Sequence, residues 1–187
     1  MASSSVQVCN IALGSLGANL ITSLSEASVE ATLCNVHWDN ARRSTLRNHP
    51  WNFSIKRTQL TELETAPLFE YDKQFQMPSD LLRLLRVYED FNYKVEGHQI
   101  ITNKTDCLIK YVYDNTDVAS WPDSFVDLVA ARLKVDLSYG ITKSSSQKQL
   151  CVEEYKEKLT EARAQDSQED ISDPFGLQDS NLIAVRN

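Results

Sequence analysis

An α+β fold, mainly α, is predicted by two changes of period along the chain. Apolar residues recur three or four apart before residue 50 and again after residue 120. Between them the pattern alternates with period two, as strands with one covered face do. The expected architecture is a four-helix bundle, two helices from each end of the chain, with an inserted antiparallel β region and an extended C-terminal tail. In residue numbers, 1–165 form one domain, with the bundle in 1–50 and 120–165 and the β region in 51–118. Residues 166–187 form an extended arm.

The first helix is expected over 6–16, where Val6, Cys9, Leu13 and Leu16 form one stripe and Gly17 provides a stop. Ser25 or Ser28 caps the second helix, with Glu26 and Glu30 near its start. It runs to about Arg47, since Pro50 disfavours helix at the residue before it. About 22 residues make a rod of roughly 33 Å. Strands are expected from Phe53 to Thr58, from Tyr71 to Met77, from Leu84 to Tyr88 and from Leu108 to Tyr113. A hairpin over 91–101 turns at Glu96-Gly97-His98. Pro122 suits the first turn of a third helix, whose apolar face includes Phe125, Leu128, Val129 and Leu133 and which Gly140 ends. After a Ser144–Ser146 cap cluster, Leu150, Cys151, Tyr155, Leu159 and Ala162 mark the fourth helix. From Gln165 the chain turns polar and acidic, with Phe175, Leu177, Leu182, Ile183 and Val185 as scattered apolar anchors.

With 187 residues, 42% hydrophobic and 24% charged, the composition is that of a soluble globular protein of one sizeable domain. No apolar run approaches the roughly 18–20 residues that cross a bilayer, and Met1–Val6 does not open like a secretory signal. A net charge of −7 argues against a DNA-coating protein, because phosphate neutralisation supplies most non-specific affinity. Cys9, Cys34, Cys107 and Cys151 lie at least 25 positions apart, without a Cys-x-x-Cys pair, so they read as small buried hydrophobes and not as metal ligands. No cofactor is expected.

No nucleophile–base set, phosphate loop or dinucleotide glycine pattern accompanies His37, His49 and His98. His49 reads as structural and the other two as solvent-facing. Carboxylates that could form a hydrolytic pair are Glu153, Glu154, Glu157 and Glu161 on the fourth helix and Glu62, Glu64 and Glu70 in a loop. Both sets read more simply as solvated faces. One charge pattern stands out. Arg42, Arg43, Arg47, Lys56 and Arg57 fall within residues 40–59 without an acid, a local charge of +5. Trp38, Trp51 and Phe53 interleave with them, as in nucleic-acid sites. Residues 153–173 carry eight acids against three bases, or −5. Opposite blocks of equal size point to subunit docking, with Arg42, Arg43 and Arg47 facing Glu153, Glu154 and Glu157. A nucleic-acid module using the Arg42–Arg57 patch and a cell-wall hydrolase using a carboxylate pair are the alternatives.

Taken in order, several segments resemble one known family. They are Ala12-Leu13-Gly14-Ser15-Leu16-Gly17, Asn48-His49-Pro50-Trp51-Asn52-Phe53-Ser54, the run Tyr71 to Arg83, Tyr93-Lys94-Val95-Glu96-Gly97, and Phe125 to Leu133. Together, over about residues 6–165, they resemble the head-to-tail adaptor of tailed bacteriophages, the tail tubular protein A family of short-tailed phages. The resemblance implies a structural virion protein and not an enzyme. Such a subunit forms a ring, usually of twelve copies, between the portal and the tail nozzle, with a channel through which DNA passes without sequence-specific binding. It implies residence in the virion neck after assembly in the host cytoplasm, and no membrane partner. It also implies a C-terminal segment that reaches the portal, which assigns Phe175, Leu177, Leu182, Ile183 and Val185 as portal anchors.

Overall fold

The structure, a computed structural model, describes residues 4–88 and 92–169. It is mixed α+β, with four helices and two antiparallel sheets. Helix α1 spans Ser5–Ser15, capped by the Ser4 hydroxyl, which accepts from the Gln7 amide; Gly17 with φ +70° turns the chain away after it. Helix α2 spans Val29–Asn48. Ser28 caps it, accepting from Ala31 N, and the chain is extended at His49, before Pro50.

Trp51 to Ser54 is where local pattern and structure part. The expected strand from Phe53 starts at Ile55, because Asn52–Ser54 winds into a 3₁₀ turn in which the Ser54 hydroxyl donates to the Trp51 carbonyl. Strand β1 is Ile55–Gln59, β2 Thr61–Glu62, β3 Lys73–Gln76, β4 Leu81–Val87, β5 Tyr93–Glu96, β6 Gln99–Thr102 and β7 Leu108–Tyr113. The two-residue β2 is too short to leave a period-two signature, and β4 begins three residues before the alternation suggested. The β5–β6 hairpin turns at Gly97, φ +58°, as expected.

The strands form two sheets, in the orders β1-β7-β4 and β2-β3-β6-β5. Strand β7 is the wall between two cores. Val112 faces the helices and joins a core with Leu13, Trp51, Phe125, Leu128 and Leu133. Ile109 and Tyr111, on the opposite face, pack with Phe75 and Ile100 of the second sheet. The molecule is therefore layered as helices, first sheet, second sheet.

Helix α3, Asp123–Thr142, runs through Gly140 instead of stopping there. At Gly140 a β-carbon would stand 3.3 Å from Leu33 Cδ1, so the glycine lets α2 and α3 close together while the helix continues to Lys143, φ +56°. Helix α4, Ser145–Glu169, also outlasts the expected end near residue 165, so residues 166–169 belong to the helix and not to an extended arm. Helix α3 is the hub. Its contacts with α4 are the most extensive, those with α2 and α1 come next, and α1 and α2 touch only briefly. All four cysteines are free and buried.

The α1–α2 connection is held by one carboxylate. Glu26 accepts from the Thr22 amide and hydroxyl and from the Ser28 hydroxyl. These bonds, the Thr22 amide first, keep its carboxyl below the usual glutamate range. Because the folded form favours the ionised group, its stabilisation is present above the unfolded glutamate pKa and is lost as pH falls through the lower folded value. Glu26→Gln is expected to flatten the acid limb of the stability curve, measured by urea unfolding between pH 3 and 6, with little change in stability at pH 3.

Candidate functional site

With no catalytic set in the sequence, the candidate site is the charged surface that the docking expectation names. Arg42 does not belong to it. Its guanidinium grips Asp114 through Nε to Oδ1 at 3.0 Å and Nη2 to Oδ2 at 3.1 Å, while Nη1 donates to Asp39 at 2.9 Å. The Arg42 side chain is only 10% exposed. It fastens α2 to the segment after β7 and presents no charge to another subunit. Arg43 reaches the same Asp114 at 3.5 Å but stays half exposed. Arg47 donates to the Leu82 carbonyl of β4 through Nη1 and is otherwise exposed. Lys56 pairs with Asp80 at 2.8 Å and lies 3.8 Å above the Tyr113 ring.

The acidic block divides in the same way. Glu154 pairs with Lys134 of α3 at 2.6 Å. Glu153 and Glu157 are exposed on α4. Asp166, expected in a loose arm, is nine-tenths buried and accepts from three directions. Its carboxylate takes His49 Nε2 at 3.0 Å and the Asn52 amide at 3.0 Å, and its carbonyl takes Asn52 Nδ2 at 2.8 Å. Arg163 donates to the Asn48 carbonyl, and Asn48 donates to the Tyr155 hydroxyl. The end of α4 thus clamps the Asn48–Asn52 turn. His49 is structural, as its place before Pro50 suggested.

Of the aromatic residues that interleave with the basic run, Trp38 and Trp51 are buried core residues that cannot stack on bases, and Phe53 is half-buried against the same core. Trp51 is buried, with Nε1 donating to the Thr45 carbonyl at 3.0 Å, and it meets the Phe125 ring edge-on at 5.1 Å. Phe53 and Trp121 pack on the same Phe125, and Trp38 stacks on Trp121 at 6.1 Å. Position in the sequence put these rings beside arginines; packing against Phe125 and the core turns the rings inward.

Two of the three loop carboxylates, Glu62 and Glu70, are tied to lysines. Glu62 pairs with Lys73 at 2.7 Å and Glu70 with Lys94 at 2.6 Å, both on the second sheet. Among the described residues no group of three or more His, Cys, Asp or Glu side chains could hold a metal ion, and no helix is long and apolar enough to cross a membrane. The anchors Phe175, Leu177, Leu182, Ile183 and Val185 lie outside the described residues.

One basic cluster, with Arg57 and Arg86 exposed and Lys110 and Tyr88 half-buried, was not legible in the sequence. In β1-β7-β4 register, Arg57 stands opposite Lys110, and Lys110 opposite Arg86. Arg57 donates to the Tyr88 hydroxyl, and this bond, helped by the charges of Arg57, Lys110 and Arg86, holds the phenol below the usual tyrosine range. Only the strand register joins residues 57, 86, 88 and 110.

Asp114→Ala is expected to cost about 3 kcal/mol, because the buried guanidinium keeps only the exposed Asp39 as a countercharge. Adding Arg42→Met should recover a large part of that loss in chemical denaturation. Equal stabilities for the single and double variants would place Arg42 in solvent. Compared with known proteins, the chain matches no family model and no curated protein sequence.

Proposed function

We propose that the chain is a head-to-tail adaptor subunit of a short-tailed bacteriophage. In this reading it is a structural virion protein without catalytic activity. Copies form a ring, of twelve subunits in the family it resembles, between the portal and the tail nozzle, and DNA passes through the central channel. The subunit is assembled in the host cytoplasm and resides in the virion neck. The four helices act together as the bundle that forms the ring body, and the C-terminal segment with Phe175, Leu177, Leu182, Ile183 and Val185 reaches the portal.

The observation that carries the reading beyond the ordered motifs is an unpartnered apolar stripe on the body of the subunit. On α2, Val29 is 70% and Val36 66% exposed; seven residues apart, they share one face. Leu20, in the preceding connection, is 62% exposed. Large apolar side chains displayed in this way mark a surface that another protein covers. Val29 and Val36 lie on the side of α2 turned away from its buried face, which carries Ala31, Cys34, Trp38, Ala41 and Arg42. Arg43, Arg47, Glu153 and Glu157 are exposed and can add charge register at a subunit contact.

Light scattering on the protein alone, and then with the cognate portal ring, tests the reading. The expected result is a stoichiometric complex with the portal. Val29→Asp with Val36→Asp should prevent multiple copies from seating while leaving the helical circular dichroism unchanged. Deleting residues 174–187 should keep the fold and abolish portal binding. A full-length chain that ignores the portal ring overturns the proposal.

A further inference from the structure

We propose that the face of the first sheet carrying Arg57, Lys110 and Arg86, with Tyr88 beside them, is a contact strip for the phosphate backbone of a nucleic-acid duplex. The strip lies on the helix-facing side of the sheet. There the row Ile55, Val112 and Arg83 sits under the helices: Val112 joins their core, and Arg83 reaches the Arg47 carbonyl of α2. Two residues farther along β1 and β7 the next row is Arg57, Lys110 and Arg86, where Arg57 and Arg86 are exposed.

Three features make this row a site. First, like charges placed directly opposite each other on neighbouring strands repel, so three in register are unfavourable for the isolated fold. Second, the register is made by a bulge. From Arg83 to Arg86 β4 advances three residues while β7 advances two, from Val112 to Lys110. Continued without the irregularity, the pairing would set Leu85 opposite Lys110; the bulge turns Arg86 to that side instead, as bulges re-aim side chains next to functional sites. Third, among the described residues neither Arg86 nor Lys110 has a carboxylate in ion-pair contact; Arg86 lies 5.3 Å from the Tyr88 ring centre.

The shape selects the class of anion. Arg57 and Arg86 are exposed on the sheet face, an open arrangement that does not enclose a small phosphate compound. With strands about 4.8 Å apart, its three cations span roughly 10 Å, a reach suited to successive charges of a continuous polyanion. Arginine adds the forked geometry that phosphate oxygens accept. Among the described residues, Asp114, Glu154 and Asp166 are engaged elsewhere. The inference does not need a ring: one subunit suffices.

Fluorescence anisotropy with a labelled 30-base-pair DNA duplex and the full chain tests it. Phosphate contacts by Arg86 and Lys110 give a slope of about −1.8 in log K against log salt, a loss of roughly 12-fold between 50 and 200 mM. Arg86→Gln with Lys110→Gln should bring the slope close to zero, with almost no loss over the same salt range. Removing like-charge neighbours should not lower the melting temperature, so a folding defect is not expected to mask the result. Arg86→Glu with Lys110→Glu should abolish binding, whereas Arg43→Glu with Arg47→Glu should keep the full slope. No binding at 50 mM salt, or an unchanged slope in the glutamine variant, overturns the proposal. So does polyglutamate binding with the same affinity and the same loss in the variants, which would assign the strip to an acidic protein.

Discussion

A guanidinium that is nine-tenths buried needs a countercharge in the same chain, and much of this fold is arranged around supplying one. Arg42 sits on α2 and Asp114 follows β7, 72 positions later. Their two parallel bonds bring the helical layer onto the first sheet at a fixed height. Removing either partner strands a charge in a poorly solvated place, which costs far more than the pair contributes over a well-packed apolar substitute. The pair therefore acts as a register pin more than as a source of stability, and Arg43 and Arg47 add weaker ties along the same seam.

On the far side of that seam, β7 serves two cores at once. Alternation along a strand sends Val112 to the helices and Tyr111 to the second sheet, so neither layer can shift without disturbing the other. Tyr111 donates to Asp80, and Asp80 also binds Lys56, closing a polar link at the sheet margin. Burial and the Asp80 charge push the Tyr111 phenol up to about 12, so it stays a donor through the physiological range. The bulges in β4 loosen the alternation at one edge, where the basic row emerges from beneath the helices.

The helix signals that were legible are local. Ser28 as a cap, Gly17 as a stop and Pro50 as a break act through bonds and sterics within a few residues, so they read the same in sequence and in space. Gly140 misled because its missing side chain serves Leu33 on another helix and not a helix end. The polar run after residue 164 misled because Asp166 is held by His49 and Asn52, more than 110 positions away. The same distance argument applies to the charge blocks. Counting +5 and −5 identified regions rich in ions, but an ion's role depends on what stands within about 4 Å, and for Arg42 and Glu154 that is the chain itself.

By itself, the sequence determined where the four helices and most of the strands lie, that the cysteines are buried apolar groups, and that His49 has a structural role, because period, capping and residue size act locally. Only the tertiary structure decided that the β segments divide into two sheets, that the tryptophans beside the basic run face inward, and that Arg57, Lys110 and Arg86 stand in a row. The reason is the same in each case. Strand order and register are set by the summed burial of many side chains distant in sequence, and one bulged residue is enough to decide which face a charge occupies.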